Sequence, residues 1–339
     1  MILVTGAAGF IGYHLCKRLL IDGYDVFGID NLNDYYDVNL KKARLSHLTD
    51  YDKFTFLKID ISDKNLILDL FDDNDFSVVI NLAAQAGVRF SIENPYSYSS
   101  SNLLGFLNIL EGCRLKKVSH LLYASSSSVY GLNTKVPFST ADSVDHPISF
   151  YAATKKSNEL MAHTYSHLFG IPTSGLRFFT VYGPYGRPDM ALFKFTKSAI
   201  NGDAIEVYNN GNMSRDFTYI DDIIESIIRL IDKPPLKHEE LCVGHGSGRI
   251  SSAPYRILNI GSGNPIKLMD FIDAIENKLN VSINKKFLPL QDGDVLNTYA
   301  ETDELYDIVK FKPTTSVQQG VSDFIDWYIS FYGIAKNTL

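Results

Sequence analysis

Residues 2–12 read Ile2-Leu3-Val4-Thr5-Gly6-Ala7-Ala8-Gly9-Phe10-Ile11-Gly12. A short apolar run ends in a glycine, and a segment of helical period opens as the third glycine is reached. Glycine at Gly6 permits a tight turn, Gly9 lets backbone N–H groups approach a diphosphate, and Gly12 allows a helix to pack closely on a strand, while the helix N-terminus favours an anion. Spaced glycines alone also serve ordinary turns. Position decides here: Asp30 ends the next apolar run eighteen residues beyond Gly12, where a carboxylate can accept hydrogen bonds from an adenosine ribose. The same carboxylate would repel a 2′-phosphate. No arginine is found among Asn31, Leu32 and Asn33, so NAD is favoured over NADP.

Outward from this loop, Ile2–Thr5, Val26–Asp30, Phe54–Ile59, Val78–Leu82, His120–Ser125 and Thr173–Phe178 read as buried strands. Segments 11–22, 64–71, 101–115 and 158–169 between them carry apolar residues at three-to-four spacing and read as helices. The alternation predicts an α/β fold with a doubly wound parallel sheet over residues 1–180. Beyond Val181 the pattern becomes irregular, with Gly183-Pro184-Tyr185-Gly186 and Asn209-Asn210-Gly211-Asn212, so a second region starts there. Segments 223–231 and 257–260 again read as helix and strand, and residues 220–262 are expected to return to the first sheet. That leaves 181–219 and 263–339 as a smaller, interleaved C-terminal α/β domain. Residues 234–253 read as a solvated loop.

Tyr151-Ala152-Ala153-Thr154-Lys155 opens a long helix and puts a phenol and an ammonium one turn apart. A lysine charge beside the phenol is expected to stabilise phenolate and make a usable base. The pair lies downstream of Ser125-Ser126-Ser127-Ser128-Val129-Tyr130-Gly131, a hydroxyl-rich stretch at the end of the fifth strand, where open α/β sheets place ligands.

Together these motifs resemble the extended short-chain dehydrogenase/reductase family that acts on nucleotide sugars, over nearly the entire chain. The resemblance implies a Rossmann-type domain binding NAD through Gly6, Gly9, Phe10, Ile11, Gly12, Asp30, Asn31, Asp60, Ile61, Leu82, Ala83, Ala84, Asn102, Tyr151 and Lys155. It makes Tyr151 the acid and base, Lys155 the group that tunes it, and Ser126 the hydroxyl on the reacting oxygen. Four serines in a row leave that register open. Members that dehydrate or decarboxylate carry a carboxylate just after the catalytic hydroxyl. Here Ser127 and Ser128 stand there, which favours epimerisation at C4.

Gln85-Ala86-Gly87-Val88-Arg89, Gly186-Arg187-Pro188-Asp189-Met190-Ala191 and Gly293-Asp294-Val295 resemble UDP-glucuronate 4-epimerases. That likeness places Gln85, Arg89, Thr180, Arg187, Met190 and the run Ser126, Ser127, Ser128 around the sugar, with the carboxylate received by Arg187, Thr180 and the serines. Asp294 would meet the uridine ribose. Arg215, in Ser214-Arg215-Asp216-Phe217, would contact the pyrophosphate, against the alternative of a surface pair with Asp216. UDP-glucose or UDP-N-acetylhexosamine epimerisation, a decarboxylase or dehydratase, and an NAD-binding protein without turnover are the other readings, since fold and cofactor do not fix the sugar. The family also implies a homodimer joined through segment 101–115 and the Tyr151 helix, and a place in polysaccharide biosynthesis.

The composition agrees with a globular enzyme. Hydrophobic residues make up 45% of 339, enough for a large core. A net charge of −7 with no basic cluster excludes nucleic acid and membrane as main partners. Neither a signal-like start nor an apolar stretch of membrane length is present, and Cys16, Cys113 and Cys242 are far apart, so a cytoplasmic protein without disulfides is expected. Cys242 with His245, and His163 with His167, lack the second ligand pair a metal needs, and no metal is expected.

Overall fold

A computed structural model describes residues 1–237, 251–290 and 295–335. Its main sheet holds seven strands: β1 (Ile2–Thr5), β2 (Val26–Asp30), β3 (Phe54–Lys58), β4 (Val78–Asn81), β5 (His120–Ser126), β6 (Thr173–Phe178) and β7 (Tyr255–Ile260). They lie in the order β7-β6-β5-β4-β1-β2-β3, every neighbouring pair parallel. β1, β4 and β6 are buried throughout, as continuous apolar runs covered on both faces must be. One face is packed by Leu15, Leu19, Ile227 and Leu230, the other by Ile67, Leu70, Ile109 and Ala162. The order reverses between β1 and β4, and the crevice beyond their C-terminal ends is where such sheets bind ligands.

Local signals explain the helices that frame this crevice. Helix α1 (Phe10–Ile21) starts directly after Gly9. Helix Phe150–Phe169 begins where the Ser149 hydroxyl accepts the Ala152 N–H at 3.1 Å, and stops at Gly170 in the left-handed conformation. It therefore starts eight residues before the periodic segment at Asn158. The segment expected as helix from Ser101 opens as a π-helical turn, Ser99–Leu104, and continues as Gly105–Lys116. Helix Val38–Ser46 had no apolar period to announce it, because its buried face carries Lys41 and Arg44 beside Leu40 and Leu45.

Past β6 the chain builds small strand pairs. Thr180–Tyr182 runs parallel to Phe217–Tyr219, Ile205–Val207 parallel to Lys285–Phe287, and Ser214–Arg215 antiparallel to Ile266–Lys267. Helix Ile220–Ile231 packs on α1, and β7 rejoins the main sheet beside β6. Cys16 and Cys113 are buried free thiols, while Cys242 lies outside the described residues. Among the described residues no helix is long and apolar enough to cross a membrane, and no three His, Cys, Asp or Glu side chains are placed to share a metal ion.

Candidate active site

The glycine loop forms one wall of a cleft of about 990 Å³. Gly6 has φ +72°, and a Cβ on Gly12 would lie 2.0 Å from the Gly6 carbonyl, so neither position admits another residue. Asp30, at the end of β2, accepts the Ala8 N–H at 3.1 Å and the Leu32 N–H at 2.8 Å. Burial raises its carboxyl, opposed by those N–H groups and by the charges of Lys41 and Arg44. Arg44 was not visible as a neighbour in sequence, yet it folds back to donate to the Ala8 carbonyl at 2.8 Å. Asn31 donates to Asp60 at 2.8 Å, and Ser62 donates from both N and Oγ. Burial would raise Asp60, but these donors outweigh it and hold the carboxyl below its usual range. Leu82, Ala83 and Ala84 line the cleft with Ile61, and the Ala83 N–H is fixed on Thr5 Oγ1 at 3.0 Å.

Strand alternation turns Ser125 and Ser126 to opposite sides of the strand. Ser125 points inward and donates to Glu159 at 2.7 Å. Ser126, facing the other way, lines the cleft with Tyr151 and caps the turn Ser127–Tyr130 by accepting the Ser128 N–H at 3.1 Å. Lys155 is buried, donates to the Ala124 carbonyl at 2.9 Å, and is brought by desolvation to about 8. Burial pushes the phenol above its ordinary value, and the groups that pull it back are the Ser126 hydroxyl and the Arg187 charge. The Lys155 ammonium is directed at that carbonyl, and the charge that acts on the phenol here is that of Arg187. Asn102, expected on the cofactor, is 2% exposed and does not reach the cleft. Its amide clamps Gln85 N and O at 2.8 and 3.1 Å and donates to Thr154 at 3.0 Å, fastening the Leu82–Gln85 loop to the Tyr151 helix.

The opposite wall holds Gln85, Arg89, Thr180, Arg187, Met190 and Arg215. Arg187 pairs bidentately with Asp189, its Nε at 3.0 Å, and Tyr35 donates to Asp189 at 3.3 Å. Burial opposes the Arg187 charge, but Asp189 outweighs it and keeps the guanidinium above its ordinary pKa. Arg215 donates to the Ser214 and Leu296 carbonyls at 2.9 and 3.0 Å, whereas Asp216 is buried on Ser262, Gly263 and Ala300. Arg89 lies over the Tyr208 ring at 5.3 Å. Asp294 lies outside the described residues. Sequence reading missed Tyr35, Lys41, Asp189 and Tyr208 on the walls; the one available signal was the Tyr35-Tyr36 pair inside a polar loop after a strand.

A family model described as "NAD dependent epimerase/dehydratase family" matches residues 2–244. The chain belongs to this family. It is 56% identical to Protein CapI of Staphylococcus aureus, over 98% of this chain and 99% of that one. It is 46% identical to a probable UDP-glucuronate 4-epimerase of Rhizobium meliloti, over 99% of both chains. Among solved structures, the UDP-glucuronic acid 4-epimerase of Bacillus cereus, in complex with UDP-glucuronic acid and NAD, superposes with a TM-score of 0.85 at 33% identity, over 98% of this chain and 99% of that one.

The cleft of this epimerase/dehydratase chain fits NAD. Its glycine backbone leaves a cradle that a single Cβ would fill, the α1 N-terminus opens onto it, and Asp30 stands where a ribose would lie. Beside that cradle a half-buried phenol, with hydroxyls and a cation on the same cleft walls, can take a proton from an alcohol and return it.

Proposed function

We propose that this chain is an NAD-dependent UDP-glucuronate 4-epimerase, interconverting UDP-glucuronate and UDP-galacturonate through a transient 4-keto sugar. Bound NAD supplies the oxidant that takes up and gives back the hydrogen at C4. Tyr151 removes the C4 hydroxyl proton and returns it, Ser126 donates to the same oxygen, and Lys155 holds a positive charge under the phenol. Thr180, Ser127, Ser128 and Arg187 receive the C6 carboxylate, Arg215 and Arg89 the nucleotide side, and Asp294 the ribose. Residues 1–180 with 220–262 form the dinucleotide domain, and 181–219 with 263–339 the sugar domain.

The observation that carries this reading is the run of hydroxyls, with no carboxylate, at Ser126, Ser127 and Ser128 on the cleft wall shared with Tyr151. Without an acid or base there, elimination and C5 chemistry lack their proton carrier. Incubation with UDP-glucuronate, UDP-glucose and UDP-N-acetylglucosamine, followed by NMR of the anomeric region, tests it. UDP-galacturonate is the expected product; conversion of neutral sugars alone overturns the acid assignment, and CO₂ release overturns the reaction type.

Helix Phe150–Phe169 and helix Gly105–Lys116 expose Leu160, Leu168, Phe169, Leu107 and Leu115, an apolar set suited to pairing with a second copy. A homodimer in gel filtration is expected, and a monomer contradicts it. The free thiols Cys16 and Cys113 suit a cytoplasmic setting.

A further inference from the structure

Helix Val38–Ser46 carries a buried cation with no part in proton transfer. Arg44 is fully buried. Its Nη1 donates to the Ala8 carbonyl at 2.8 Å and to the Tyr36 hydroxyl at 2.6 Å, and its Nη2 donates to the Tyr185 carbonyl at 2.7 Å. Ala8 belongs to the glycine loop. Tyr185 belongs to the loop that delivers Arg187, Asp189 and Met190 to the cleft. One planar group thus joins segments 36 and 141 residues away in sequence.

Two features set this contact apart from ordinary packing. All three of its hydrogen-bond acceptors are neutral, and among the described residues its Nε has no partner, so the guanidinium is buried without the ion pair that usually offsets desolvation. The Tyr185 end is also conformationally demanding: Tyr185 has φ +58°, which a residue other than glycine holds only under constraint. That constraint comes from the dinucleotide half, where His14 Nε2 donates to the Pro184 carbonyl at 2.9 Å, His47 Nε2 meets the Tyr185 hydroxyl at 2.8 Å, and Tyr35 reaches Asp189.

We propose that Arg44 is a positioning residue that makes the glycine loop and the Tyr185–Met190 loop one ledge, so that a nucleotide sugar on one side tightens the dinucleotide on the other. The coupling is reciprocal by thermodynamic necessity. Lysine cannot replace Arg44, because a point charge on a flexible stem does not fork between two carbonyls. The idea rests on the proposed substrate only for the choice of probe.

The test uses the holoenzyme. Saturating UDP-glucuronate is expected to slow amide exchange in residues 6–12, which lie at the diphosphate cradle away from the sugar, and to slow NAD release roughly tenfold. In Arg44→Lys, UDP-glucuronate still binds, but residues 6–12 and NAD release no longer respond. Binding without any response in the parent, or an equal response in Arg44→Lys, overturns the coupling and leaves the substrate reading standing. Failure of UDP-glucuronate to bind at all overturns the substrate reading and the coupling with it. If Arg44→Lys does not fold, Tyr36→Phe, which removes the hydroxyl that Nη1 meets, takes its place: a weakened response of residues 6–12 and of NAD release is expected, and a response equal to the parent's overturns the coupling through Arg44.

Discussion

Replacing Glu159 with leucine should cost the protein several degrees of thermal stability and most of its turnover. Glu159 and Arg177 are each 1% exposed and pair bidentately at 2.8 and 2.9 Å. Glu159 also accepts the Ser125 hydroxyl at 2.7 Å, and Arg177 lies over the Tyr130 ring at 4.9 Å. Removing one partner of such a pair strands the other charge in the core, at about 3–5 kcal/mol. Unfolding entropy of about 2.1 cal/mol/K per residue, over 339 residues, is about 0.7 kcal/mol/K, so the melting temperature should fall by roughly 4–7 °C. Glu159 sits one turn beyond Lys155 and anchors the residue before Ser126, so a small shift of both should lower kcat by ten- to a hundredfold at roughly the sensitivity expected of misplaced groups. Calorimetry and UDP-glucuronate turnover measure the two effects. The double variant Glu159→Leu/Arg177→Met should recover most of the stability, because neither charge of the fully buried pair is stranded and Lys156 keeps access to solvent, without recovering kcat, because Ser125 stays unanchored. A single variant melting within about 1 °C of the parent would refute the reasoning, since a stranded core charge must cost more than that.

Three further outcomes are expected. With Lys155 brought by burial to about 8, turnover should decline as pH is raised through that value; a rate flat to pH 10 contradicts an ammonium role. Burial lowers His120 from 6.5 to about 4, its Nδ1 donating to the Ile231 carbonyl, so the folded state keeps it neutral while the unfolded chain binds a proton near 6.5. Its contribution is complete above pH 6.5 and is lost as pH falls toward 4, by up to roughly 3 kcal/mol for 2.5 units at 1.36 kcal/mol each; denaturant midpoints that stay as acid-sensitive in His120→Gln as in the parent would count against it. Gly12→Ala places a Cβ 2.0 Å from the Gly6 carbonyl and should release NAD on gel filtration, read from the absorbance ratio at 260 and 280 nm; full retention contradicts the cradle geometry.

Sequence exposed the parts of this molecule whose physics is local. Continuous apolar runs marked the strands, although Phe54–Lys58 is an edge strand that stays half exposed and not buried, and the glycine loop, Asp30 and the Tyr151–Lys155 spacing marked the cleft, because each depends on neighbours within a turn or a strand. What stayed hidden depends on the third dimension. Helix Val38–Ser46 buries Lys41 and Arg44, so its inner face looks polar in sequence. The serines divide by the strand's facing direction, which sends Ser125 to Glu159 and leaves Ser126 to cap the following turn. Asn102 was found, but its amide is spent on Gln85 and Thr154 and not on the cleft. Arg187 was found without Asp189's pairing, and its charge reaches the phenol from a loop distant in sequence.

The measurement that bears most directly on the central claim is turnover of UDP-glucuronate by Tyr151→Phe, with NAD content determined on the same sample. If Tyr151 carries the C4 proton, kcat falls by roughly 10²–10⁴ while NAD stays bound, since the glycine loop and Asp30 are untouched. Turnover equal to the parent's, with NAD in place, would show that another group moves the proton and that the cleft works differently.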